Sequence, residues 1–241
     1  MKIVRGVLFD VFGTVCDWCG PMADEIAALG RQYDEKLDAF QFARDWRNEY
    51  AMQTSRRGIE SLPWVPLTDL TRNALEELLK DRFRCTVEAA DVDRVNSVWR
   101  RLRPWPDTVR GLKTIQTLAP IGTCSNGNFE DMEKLSFHLG IDWNAILGAE
   151  ASGFYKPHPE TYLQSVQGLG IKPEECLMTA SHQADLSRAK AQGLMTAFVQ
   201  RPDEFGGRGM GEELEVVDDW TYVANDFLTS LSPNTTYYSI L

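Results

Sequence analysis

An aspartate closes the first apolar run of the chain. Ile3 to Phe9, with Arg5 and Gly6 inside it, reads as one buried strand, and Asp10 follows it directly. Gly13 and Thr14 then turn the chain. In an open α/β sheet the carboxyl ends of the strands face the ligand crevice. A carboxylate there can act as a nucleophile and form an ester or a mixed anhydride with its substrate. Which of these is possible depends on the residue two places later, and here that residue is Phe12 rather than a second acid.

Further polar groups recur at the same kind of position. Ser125 and Asn126 follow an expected strand over Pro120 to Cys124. Lys156 stands in a loop before Pro157, and Ser181, His182 and Asp185 follow an expected strand over Glu175 to Thr179. In a doubly wound sheet these positions converge on one crevice. Singly, each has a plainer reading: Asn126-Gly127 as a turn, Lys156 as a solvated loop charge, Asp185 as a helix N-cap.

The elements that must position these groups follow from periodicity. From Pro21 to Arg103 apolar residues repeat at three and four, as in Phe40, Ala43, Trp46 and Tyr50, which predicts a helical insert without strands. Gly58 to Pro66 reads as a loop. After Pro104-Trp105-Pro106 an alternating pattern begins. Helices are expected at Asp107 to Leu118, Phe129 to Leu139 (capped by Asn128), Pro159 to Leu169 and Asp185 to Gln192. Strands are expected at Asn144 to Ala149, Thr196 to Val199 and, weakly, Glu215 to Val217, besides those above. Strands alternating with helices imply an α/β fold with a parallel sheet covered on both faces. The 230–241 tail shows no period, and both disorder and contact with a partner chain are open there.

Composition narrows the function. The 241 residues are 43% hydrophobic and 25% charged, as in an ordinary soluble domain, and carry a net charge of −10. Such a charge argues against a nucleic-acid partner, which needs a basic face. A few local Arg or Lys side chains can still make a cleft attractive to a small anion. No apolar stretch is long enough to span a bilayer, so no membrane association is expected. The N-terminus runs straight into the first strand, and the five cysteines, an odd number, point to reduced thiols in the cytoplasm. Cys16 and Cys19 have redox-motif spacing, but no second pair or histidine cluster accompanies them.

Together, Asp10-Val11-Phe12-Gly13-Thr14, Ser125-Asn126-Gly127, Tyr155-Lys156-Pro157 and Ala180-Ser181-His182-Gln183-Ala184-Asp185 resemble the four motifs of the haloacid dehalogenase superfamily, and within it the type II, (S)-2-haloacid branch. The resemblance covers nearly the whole chain. It implies a Rossmann-like, doubly wound parallel core (1–15 and 104–229) with an inserted helical cap (16–103) and a C-terminal tail (230–241). Superfamily phosphatases carry a proton-donating acid where Phe12 stands and bind magnesium; a halide needs no proton to leave.

The resemblance therefore implies hydrolysis of short 2-haloacids to 2-hydroxy acids through an aspartyl ester, L-specific and with inversion, without metal or other cofactor. Asp10 is cast as nucleophile, Lys156 as its cation and Asp185 as activator of water. Phe12, Thr14, Ser125, Asn126 and Ser181 are placed around substrate or nucleophile, and Arg47, in Asp45-Trp46-Arg47, receives the halide. His182 and Ala184 depart from the branch, whose best-known members have asparagine and tryptophan there. His182 is expected to bond Asp185, to bind halide when protonated or to narrow the pocket, which would favour small acids such as fluoroacetate. Trp18, Trp46 and Trp64 are candidates for aromatic walls or for core.

The implied partners are a small 2-haloacid and, as often in the family, a second copy of the chain. Three other readings compete. A phosphatase with an altered acid would need Mg2+. A phosphonate hydrolase would need a cap lysine, for which Lys36 is the early candidate. A non-catalytic binding protein on the same fold would have no need of Asp10, Lys156 and Asp185 together.

Overall fold

The apolar run that ends at Asp10 is two strands rather than one. β1 (Lys2–Val4) and β2 (Gly6–Phe9) are separated at Arg5, whose side chain is exposed and pairs with Glu175. A charged residue in that register has no place in a fully buried ladder, and the run breaks there. The computed structural model describes residues 2–201, 203–207, 223–224 and 238–240. The expected strand Glu215 to Val217 lies outside them.

Next along the chain come β3 (Cys16–Asp17) and helices α1 (Cys19–Gln32), α2 (Ala39–Ile59), α3 (Leu67–Arg82) and α4 (Ala89–Asn96), followed by a 3-10 turn, Ser97–Arg100. β4 (Arg103–Pro104) returns antiparallel to β3, with Cys16 opposite Pro104 and Asp17 opposite Arg103. Both crossings between the helical segment and the sheet therefore lie side by side. The four helices pack around Phe42, Trp46, Leu75 and Trp99, with α1 against α2 and α4, and α3 between α2 and α4. α2 runs on through Gly58 to Ile59, so the loop begins at Glu60, two residues later than expected.

The second half alternates: α5 (Thr108–Gln116), β5 (Ile121–Thr123), α6 (Phe129–Leu139), α7 (Ala149–Ser152), α8 (Pro159–Gly168), β6 (Cys176–Ala180), α9 (Gln183–Ala191) and β7 (Met195–Val199), then β8 (Val223–Ala224) and β9 (Tyr238–Ile240). β5, β2, β6, β7 and β8 form one parallel sheet in that order. In order of appearance this is 2-1-3-4-5. The chain leaves β2 to one side and later crosses to the other, so the topological switch point lies beside β2. Asp10 and the Ser181-His182 loop follow the two strands that flank that point. β1 pairs in parallel with β9, the described part of the tail.

Two further expectations are corrected. Asn144 to Ala149 is not a strand. It runs beside β5 through two isolated bridges, Ala145 to Gly122 and Gly148 to Ser125. Side chains supply rungs there that a ladder would have made: Ile121 N donates to Asn144 Oδ1 (2.9 Å), and the Thr123 hydroxyl donates to Leu147 O (2.7 Å). Asn128 stands at the N-cap of α6 but does not cap it. Its Oδ1 accepts from Leu67 N at the start of α3 (2.6 Å), tying the helical segment to the sheet. The first amide of α6, at Phe129, is met instead by Glu150 Oε2 (2.5 Å).

No helix among the described residues is long and apolar enough to cross a membrane. The five cysteines are free, and only Cys85 is exposed.

Candidate active site

Asp10 leaves β2 into a turn whose backbone is held on all sides. Gly13 O accepts from Trp105 Nε1 (2.9 Å), Thr14 O from Arg201 Nε (3.0 Å) and Val15 O from the Thr108 hydroxyl (2.8 Å). Three donors from distant segments leave the turn after Asp10 little freedom. Gly13 adopts φ +92°, a conformation costly for other residues.

Two ionic arms meet on that carboxylate. On one side Lys156 Nζ donates to Asp10 Oδ1 (2.8 Å) and to Asp185 Oδ2 (2.6 Å). Asp185 is the third residue of α9, not its N-cap, and its Oδ1 accepts from the Tyr162 hydroxyl (2.6 Å). On the other side His182 Nδ1 lies 3.0 Å from Asp10 Oδ2, and His182 Nε2 lies 2.8 Å from Glu204 Oε1. The His182 ring thus bridges Asp10 and Glu204, not Asp185. Glu204 Oε1 also accepts from Trp18 Nε1 (3.0 Å), and Glu204 Oε2 from the Ser181 hydroxyl (3.3 Å). The Thr14 hydroxyl donates to Asp10 Oδ2 (2.9 Å) and accepts from Ser181 N (2.9 Å).

Burial alone would push the Asp10 carboxyl up, but the charge of Lys156 and the bond from His182 hold it far below the carboxylate range. Lys156, equally buried, is held well above its ordinary value because Asp10 and Asp185 outweigh its desolvation. His182 is desolvated too, yet Glu204 and Asp10 raise it to about 10. Glu204 is lowered in turn: desolvation opposes ionisation, and His182 more than offsets it. Asp10, Lys156, His182 and Glu204 are therefore each stabilised in the charged form at neutral pH.

Asp10, Lys156, Asp185, His182 and Asn126 line a cavity of about 290 Å3 whose far wall is α2, through Arg47 and Tyr50. The Arg47 guanidinium lies over the Tyr50 ring (4.3 Å) and near Trp18 (5.7 Å), and its buried Nε has no hydrogen-bond partner. The positive charge of Arg47 on the cavity wall suits that wall to an anion. α2 approaches this closely because of Gly58: a Cβ there would meet Tyr155 O at 2.4 Å and the Lys156 carbonyl carbon at 2.8 Å.

Of the other expected site residues, Phe12, Thr14, Ser125 and Ser181 are not on the cavity. Phe12 is buried edge-on against Trp99 (5.0 Å) and Tyr50 (6.3 Å), where an acid would lie among aromatic rings. Thr14 and Ser181 act behind Asp10 through the bonds above. Ser125 is fully buried and accepts from Gly127 N (3.1 Å), so it shapes the loop. Asn126 Oδ1 accepts from Lys156 N (2.9 Å) and fixes the lysine's backbone. Trp46 is core, its Nε1 donating to Thr71 O (2.8 Å), and Trp18 braces Glu204; neither lines the cavity.

Sequence reasoning missed Tyr162, Tyr50 and Glu204. Tyr162 lies inside a helix that was correctly expected, and nothing in a linear pattern shows which way it turns. Glu204 had a signal, since it follows β7, where the sheet's carboxyl ends converge. Among the described residues no three His, Cys, Asp or Glu side chains cluster as a metal site requires.

The chain is similar in sequence and structure to proteins of known activity. A family model described as haloacid dehalogenase-like hydrolase matches residues 4–193. The chain belongs to that family of hydrolases. It is 26% identical over 210 residues to haloacetate dehalogenase H-2 of Moraxella sp. (strain B), covering 83% of this chain and 88% of that protein. Among solved structures, a defluorinating L-2-haloacid dehalogenase is 35% identical with a TM-score of 0.86, over 93% of this chain and 92% of that one. Another L-2-haloacid dehalogenase is 36% identical with a TM-score of 0.85, over 93% and 96%.

Proposed function

We propose that the protein hydrolyses short 2-haloacids to 2-hydroxy acids, with preference for the L enantiomer and inversion at carbon. One observation carries the reading: Lys156 Nζ bridges Asp10 Oδ1 and Asp185 Oδ2 while Phe12 fills the position of a proton donor. The ammonium keeps the nucleophile ionised and takes a place that a phosphatase gives to a metal. The reaction needs no cofactor.

Asp10 attacks the halogen-bearing carbon from behind. A carboxylate–carbon bond forms, the carbon–halogen bond breaks, and halide departs with the electron pair beside Arg47. Water then adds to Asp10 Cγ, giving a proton to Asp185. Collapse breaks the Cγ–O bond to the substrate, the departing alkoxide takes that proton, and the oxygen from water stays in the Asp10 carboxyl, which ionises to solvent. The cavity is near the lower end of ligand-pocket volumes, which run from ~300 Å3 upward. That size, with the haloacetate and defluorinating relatives, supports action on fluoroacetate.

The helical segment 16–103 serves as a cap on a core of 1–15 and 104–229, a division supported by the adjacent crossings at β3 and β4. A cytoplasmic location is supported by the free thiols. Dimerisation, which the family resemblance implies, is read from the solution mass by light scattering.

The test is incubation with L- and D-2-chloropropionate, chloroacetate, fluoroacetate and a phosphate ester, with and without Mg2+, measuring halide and phosphate. Halide release from the L acid that disappears in Asp10→Asn is the expected result. Phosphate release alone overturns the reading.

A further inference from the structure

We infer that His182, held by the positioning residue Glu204, is the oxyanion donor for hydrolysis of the Asp10 ester, so that Glu204 governs the second half-reaction and not the first. The inference rests on the dehalogenase reading above. It begins from lone pairs. Asp10 Oδ2 accepts from Thr14 and from His182, which fills both its acceptor positions, whereas Oδ1 meets Lys156 alone among the described residues. Oδ1 therefore keeps a free lone pair and is the attacking atom. Oδ2 becomes the ester carbonyl oxygen, and it gathers negative charge when water adds to Cγ. Two donors already aimed at that oxygen form an oxyanion hole.

Both ring nitrogens of His182 face carboxylate oxygens, Nδ1 toward Asp10 and Nε2 toward Glu204. A neutral imidazole has one N–H and satisfies one such contact; two require the imidazolium. In the resting enzyme two carboxylates hold that proton. Once Asp10 is esterified its charge is gone, and Glu204 alone remains to keep Nδ1 a donor during hydrolysis. Glu204 is suited to this. It is 3% exposed, braced by Trp18 and Ser181, and approached by Gly13, where a Cβ would lie 2.1 Å from Glu204 Oε1. The other charged or titratable groups around His182 are Lys156 and Asp185 across Asp10, Tyr162 behind Asp185, Arg188 on α9, Arg47 and Tyr50 on α2 and the Cys16 thiol of β3. None of them replaces Glu204 as a partner of Nε2.

The test is a rapid-quench turnover with a 2-haloacid, following halide and the mass of intact protein. In Glu204→Gln the halide burst is expected to stay within about twofold of wild type. The ester adduct should accumulate because its hydrolysis slows by about tenfold or more. That hydrolysis should fall as pH rises through neutrality, while the wild-type rate holds to higher pH because Glu204 still faces Nε2. Equal slowing of both steps, or an unchanged pH profile, overturns the inference. His182→Asn keeps a neutral N–H donor and serves if Glu204→Gln does not fold. It should accumulate adduct without the alkaline fall; adduct hydrolysis at the wild-type rate overturns the inference. Halide from wild type with no adduct in either variant defeats this inference alone. No halide from any 2-haloacid defeats the dehalogenase reading and the inference with it.

Discussion

Asp10 is flanked by two arms of the same design, each a cation anchored on a second carboxylate, and the arms differ in how they are built. The Lys156–Asp185 arm joins a flexible side chain to a residue in the first turn of a helix, with Tyr162 behind it. The His182–Glu204 arm joins a rigid ring to a carboxylate beyond β7, with Trp18 behind it. A lysine ammonium can move among several acceptors; an imidazolium between two carboxylates has one geometry. The difference suits the lysine to following charge as the substrate reacts, and the histidine to holding one oxygen still.

The largest effect should come from breaking the lysine arm. Lys156→Met leaves Asp10 and Asp185 without their shared cation, and halide release from a 2-haloacid should fall by about a thousandfold. His182→Asn should cost only about ten- to a hundredfold in the same assay, since an N–H donor remains. Equal losses would erase the distinction between the arms.

A smaller effect should follow from crowding the histidine arm. Gly13→Ala places a methyl group against Glu204 at a positive φ and should lower stability by about 1–3 kcal/mol in urea unfolding. The variant should still release halide in its burst if the lysine arm is untouched.

The last prediction concerns pH. His182 is raised from 6.5 to about 10, so its contribution to stability is complete below about 6.5 and is lost as pH rises through about 10. Asp10 and Glu204 are lowered, so theirs is present above their ordinary values, 3.8 and 4.5, and is lost as pH falls. Stability measured by urea midpoint should therefore decline between pH 6.5 and 10, and Glu204→Gln should flatten that decline.

The two arms were not equally legible. Asp10, Lys156 and Asp185 each follow a recognisable apolar run or stand in a motif, and the parallel sheet brings such positions together whatever the loops do. His182 was legible as a residue but not as a bridge, because its partner lies 22 positions away beyond another strand. Phe12 was read as the absent acid and placed on the pocket, whereas in the structure it packs against Trp99 and Tyr50 in the interior. Asn128 was expected to cap its own helix and caps α3 instead, a choice between two helix starts that only packing makes.

By itself the sequence determined the order and type of the reactive groups and the strands that carry them, since hydrophobic period and turn chemistry are local properties of the chain. The tertiary structure alone decided which oxygen of Asp10 meets which donor, that Glu204 joins the site, and that Arg47 lines the cavity. Those outcomes depend on the approach of side chains far apart in the chain. Their distances are set by burial and by turns such as Gly13 and close packing such as Gly58, and no linear pattern encodes them.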